Sequence, residues 1–171
     1  MNVPNCSYEF YTIHTDSINS TSWVDGSQNK FTTHLFRPLK DIVQVSILTT
    51  SLDVSGSNVV YLSVSQLISP FIENTGVQNS SGSDSLIVSD PETKDRTRTA
   101  LARFNVSSSG RTEYKQQDYS TQTQFVTPIR KLDRITCELF DENGNSLSVN
   151  SNTFVSYRFT CLRDNIHPKK K

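Results

Sequence analysis

The 171-residue chain has little of what most functional classes require. It holds no run approaching the roughly 20 apolar residues of a helical membrane span. Its start, MNVPNCSYEF, lacks the charged leader and apolar core of a signal peptide, so the expectation is a chain made and kept in the cytosol. Excess charge of either sign is missing too. Seventeen Lys and Arg balance 17 Asp and Glu, so the chain as a whole lacks the basic field with which proteins hold nucleic acid, and no specific nucleic-acid partner is expected. The one basic cluster, Lys169, Lys170 and Lys171, reads as a solvated tail over 166–171. Cysteine is scarce and odd in number, with Cys6, Cys137 and Cys161 outside any metal-ligand spacing. Cys137 and Cys161 fall in strand-like runs, where a reduced thiol packs as a small apolar residue; a bridge between them is the alternative.

Catalytic and metal-binding patterns are missing as well. His14, His34 and His167 are scattered, with no H-x-H or H-E-x-x-H pairing to seat a metal. No G-x-S-x-G elbow or phosphate-cradling glycine loop occurs. The expectation is a protein that is not an enzyme and uses no cofactor. Sequons at Asn5, Asn19, Asn79 and Asn105 are about what so much Ser and Thr produces by chance.

What is present is β-strand pattern. Apolar residues make up 34 % and charged residues 20 %, and no stretch has the Ala, Leu, Glu and Lys density of a helix bundle. Phe31, Thr33 and Leu35 alternate with Thr32, His34 and Phe36. After Pro38, Val43, Val45 and Ile47 share one face, and after a Gly56-Ser57-Asn58 turn so do Val60, Leu62 and Val64. Residues 66–99 are dominated by Ser, Asp, Thr and Gly around a short apolar island, Leu86 to Val88, and read as a long surface excursion holding one short strand. Then come ALARFNVS, a Gly110 turn, TEYKQQ, STQTQFV, RITCELF, an Asp141-to-Gly144 turn, and FVSYRFTCL with Val155, Tyr157, Phe159 and Cys161 inward. The result is an all-β chain of about eight strands in two antiparallel sheets, with an immunoglobulin-like sandwich, a closed barrel and a jelly roll as candidates. The divisions are an N-terminal arm or edge segment at 1–28, the β domain at 29–165, and the tail.

An internal echo favours the jelly roll. Pro38-Leu39-Lys40-Asp41-Ile42-Val43-Gln44-Val45-Ser46-Ile47 aligns with Pro128-Ile129-Arg130-Lys131-Leu132-Asp133-Arg134-Ile135-Thr136-Cys137. In both, proline ends a strand, two aliphatics pin the loop, and a β-branched residue starts a new alternating strand. A jelly roll is a long antiparallel ribbon wound on itself, so similar corners in its two halves are a geometric expectation. Local convergence of two loops feeding buried strands is the alternative. Arg130, Asp133 and Arg134 are expected to form a small ion network at the second corner, worth about 0 to 1 kcal/mol per exposed pair and able to orient a contact.

The segment FVTPIRKLDRITCELFDENGNSL, followed by TFVSYRFTCL, resembles the C-terminal half of penton and minor capsid proteins of nucleocytoplasmic large DNA viruses and their virophages. NKFTTHLFRPLKDIVQVSILTTSLD and NVVYLSVSQL look like the opening strands of the same proteins. The resemblance implies a single jelly roll in an icosahedral shell, located in the virion and assembled in host cytoplasm. It implies a homopentamer at each five-fold vertex, with a minor capsid protein cementing capsomers from beneath as the alternative. The implied partners are further copies of the chain and major or other minor capsid proteins, without a cofactor.

Ring assembly joins the side of one subunit to the opposite side of the next. Tyr8, Phe10, Tyr11 and Trp23, with Arg130, Asp133 and Arg134, are the expected assembly interface; an extra edge strand on the chain's own sheet is the other reading of the N-terminal aromatics. A lectin-like or receptor-binding module, using the 66–99 loop with Tyr114 and Tyr119, is the competing class.

Overall fold

Period-two alternation of β-branched and aromatic residues buries one face of nearly every run, and two such faces close on each other. The computed structural model describes residues 7–18, 22–23, 30–68, 100–107, 109–115, 122–148 and 153–163. Among these are ten strands: β1 (Tyr8–Asp16), β2 (Ser22–Trp23), β3 (Lys30–Leu39), β4 (Ile42–Ser55), β5 (Val59–Val64), β6 (Ala102–Asn105), β7 (Ser109–Lys115), β8 (Gln122–Ile129), β9 (Leu132–Phe140) and β10 (Phe154–Leu162). A 3-10 turn, Ser65–Leu67, follows β5. Two more strands occur than the eight expected, and both, β1 and β2, come from the N-terminal segment. The expected strand at Leu86 to Val88, most of the 66–99 excursion, Cys6, Tyr119, His167 and the tri-lysine tail lie outside the described residues.

All pairings among the described strands are antiparallel. One sheet runs β1-β10-β4-β7, with β8 also pairing β4; the other runs β2-β3-β9-β5-β6. The β3–β4 arm of the chain lies antiparallel to the β8–β9 arm, β3 against β9 in one sheet and β4 against β8 in the other. That is a ribbon folded over between two sheets, and the fold is a single jelly-roll sandwich.

The inward faces follow the alternation. Val60, Leu62 and Val64, then Ala102, Phe104 and Val106, then Ile135, Cys137 and Leu139, and finally Val155, Tyr157, Phe159 and Cys161 are all buried in one cluster. Each large apolar side chain removed from water in this way contributes about 1.5 to 3 kcal/mol. In β4 the phase changes midway. Leu48 is skipped between the pairs Tyr157↔Ile47 and Ser156↔Thr49, and this bulge switches the inward set from Val45 and Ile47 to Thr50, Leu52 and Val54. Val43, expected inward, is only half-buried.

Several polar groups inside the sandwich are paired with one another. The Tyr157 hydroxyl, fully buried, shares a 3.1 Å hydrogen bond with the Cys137 thiol. Thr15 reaches over from β1, 3.7 Å from the same sulfur, and donates to the Val155 carbonyl at 3.1 Å. Cys137 and Cys161 are both free and buried, without a bridge.

The Gly56 turn forms with the glycine at φ +89°, a conformation that side chains resist. In the Asp141 turn, one carboxylate oxygen of Asp141 accepts from the backbone N–H groups of Asn143 and Asn145, both at 2.8 Å. Gly110 makes no turn: it lies inside β7, opposite Val54.

Candidate functional site

The two echoed segments form the two corners at which the ribbon passes between sheets. β3 ends at Leu39 in one sheet, and β4 begins soon after at Ile42 in the other; β8 ends at Ile129 and β9 begins at Leu132, making the same crossing in reverse. Across the corners Leu39 pairs with Leu132, and Ile42 pairs with Ile129. In the alignment Leu39 corresponds to Ile129 and Ile42 to Leu132. Exchanging the two copies therefore converts one pair into the other, which is a local two-fold relation.

The relation extends beyond the corners. On β3 the pairing steps from His34↔Arg134 to Leu39↔Leu132, so residues 35–38 bulge opposite Asp133 alone. On β8 it steps from Gln124↔Gln44 to Ile129↔Ile42, so residues 125–128 bulge opposite Val43 alone. The bulges have the same internal design. Leu35 and Phe125, first in each, are half-buried against the core. Phe36 and Val126, second in each, project into solvent at 97 % and 78 % exposure. Pro38 and Pro128 come last and lack the N–H that would return them to the ladder. One difference separates the corners: Asp41 has φ +51°, a left-handed conformation that Asp tolerates, and its carbonyl accepts from the Leu162 N–H at 2.9 Å.

The bulges face different flanks of the sandwich. β1 and β8 are at opposite edges of their sheet. Phe36, on β3, shares with Tyr11 and Ile13 of β1 a groove of about 740 Å3, floored by Leu39, Cys161 and Leu162. Phe36 is therefore on the β1 flank, and Val126 is on the β8 flank. Charged groups rim the groove, where Arg163 Nε lies 3.4 Å from Glu9 Oε1. Burial, reinforced by the negative charges of Glu9 and Asp41, pushes the Cys161 thiol up to about 11, so it stays protonated. The Tyr11 hydroxyl donates to Glu9 at 2.6 Å, and its pKa is raised chiefly by that bond.

The residues singled out from the sequence are divided among these surfaces. Tyr8 and Phe10, 52 % and 66 % exposed, line a second groove across the outer face of the first sheet. Tyr11 lines the Phe36 groove. β1 itself is an edge strand, in unbroken register with β10 from Tyr8↔Leu162 to Asp16↔Phe154. Trp23 is in β2, opposite Phe31, and its side chain is outside the described part. Arg130, Asp133 and Arg134 are all exposed. The ion network expected among them does not form: Asp133 pairs with Lys131 at 3.4 Å, because residues two apart in an extended chain share a face. Sequence reasoning missed Phe36 and Val126, although each stands two places before an echoed proline.

Among the described residues no group of His, Cys, Asp and Glu is placed to hold a metal ion, and no helix is long and apolar enough to cross a membrane. No known protein-family pattern matches the chain, and no curated protein matches it.

Proposed function

We propose that the protein is a structural subunit of an icosahedral virus capsid, seated as a homopentamer at the five-fold vertices. The supporting observation is the placement of Phe36 and Val126, the two most exposed large apolar side chains described, on opposite flanks of one sandwich. A closed ring needs two different faces per subunit, each meeting the other kind on its neighbour. Paired opposite-flank knobs supply such faces; a two-fold dimer would need only one. Burying Phe36 against a neighbour is worth about 1.5 to 3 kcal/mol at each contact, repeated around the ring. The resemblance of Pro128-Ile129-Arg130-Lys131-Leu132-Asp133-Arg134 to the large DNA virus penton turn supports the viral setting, with major or minor capsid proteins as further partners and the virion as the location.

Cryo-electron microscopy of the assembled particle tests this reading. Density for the chain around the five-fold axis is the expected result. Density only between and beneath capsomers would move the protein to the minor capsid class, and absence from the shell would end the proposal.

A further inference from the structure

We infer that the outer face of the first sheet carries a binding site for saccharides that bear a carboxylate. Two adjacent rungs cross four strands there in register. One consists of Phe10, Thr160, Gln44 and Gln124; the next consists of Thr12, Arg158, Ser46 and Gln122. With neighbouring strands about 4.8 Å apart, each rung spans roughly 14 Å. Over them lies a groove of about 510 Å3, within the range of small-molecule sites.

The chemistry of the lining narrows the ligand. Among the ten described residues that line the groove, Arg158 is the only charged one. Among the described residues, no hydrogen bond or ion pair engages the side chains of Arg158, Gln44, Gln122 or Gln124. Three amides therefore present donors and acceptors together, the combination that a ring of hydroxyls can use in either sense. Phe10, highly exposed at one edge, with Tyr8 beside it, offers flat apolar surface for the C–H face of a pyranose. The unpaired guanidinium favours a carboxylate, which it can bind through two parallel hydrogen bonds. All the residues of the site come from one subunit.

The test is titration of the full-length protein with 3′-sialyllactose, glucuronic acid and lactose, followed by NMR and calorimetry. At least one acidic saccharide is expected to bind tenfold or more tightly than lactose. Arg158→Gln should bring the acidic ligand down to the level of lactose. Phe10→Ala should weaken acidic ligands at least fivefold without lowering Tm, which marks the loss as one of contact and not of folding. No binding of either acidic saccharide, equal binding of acidic and neutral sugars, or unchanged affinity in Arg158→Gln would each overturn the inference.

Discussion

Phe36 and Val126 occupy the same position in two copies of one corner, yet they project from opposite flanks of the sandwich. The local two-fold that relates Leu39↔Leu132 to Ile129↔Ile42 explains both facts, because it turns one flank into the other. A ribbon that crosses between sheets twice needs two corners. Here both use an aliphatic pair to seal the crossing and a proline-ended bulge to reach it.

The sealing pairs are the first place to test the fold. Leu39 and Leu132 are 5 % and 2 % exposed and stand opposite each other. Each replaced singly by Ala should cost about 2 to 5 kcal/mol. Because they are direct neighbours, the double variant should depart from additivity by about 0.5 kcal/mol or more in urea unfolding. Strict additivity would mean that the corner does not act as one unit.

Thr50 gives a prediction of opposite sign. It is 1 % exposed, and its hydroxyl has no hydrogen-bond partner among the described residues. Thr50→Val keeps the shape and removes an unsatisfied polar atom, so it should stabilise the protein by about 1 kcal/mol. A loss of stability by the same amount would show that the hydroxyl has a partner after all.

The buried thiols make stability fall in alkali. Burial pushes both Cys137 and Cys161 up to about 11 from an ordinary value near 9, opposed at Cys137 by its bonds to Tyr157 and Thr15. Between about pH 9 and 11 the unfolded chain releases protons that the folded chain retains. Stability is then fully present below pH 9 and declines as pH rises, by at most about 1.4 kcal/mol per pH unit for Cys137 and by less for Cys161, which lines a groove. Urea midpoints at pH 8 and pH 10 should drop less in Cys137→Ala than in the wild-type protein. Equal drops would contradict this account.

Much of the sandwich was legible because period two is a local signal. The inward faces of β5, β6, β9 and β10 could be read off consecutive residues, and the echoed prolines marked the corners. What could not be read depends on partners distant in sequence. The Leu48 bulge that switches the inward set of β4 exists only against β10. The four-residue bulges that expose Phe36 and Val126 are defined by how few residues of β9 and β4 lie opposite them. Glycine misled at Gly110, where an edge strand accepts a residue that elsewhere makes a turn. At the corner, Lys131 took Asp133 from the two arginines through a geometry visible only once the strand was in place. Tyr8, Phe10 and Tyr11 were recognised as exposed aromatics, but their division between two faces follows from β1 lying extended beside β10.

Native mass spectrometry of the purified protein, with and without major capsid protein, tests the central claim most directly. The wild-type chain should form a species of five subunits. Phe36→Ser and Val126→Ser should each leave a folded monomer, with stability changed by no more than about 0.5 kcal/mol, that fails to close the ring. A wild-type protein that stays monomeric or dimeric under both conditions, or rings that survive both substitutions, would contradict it.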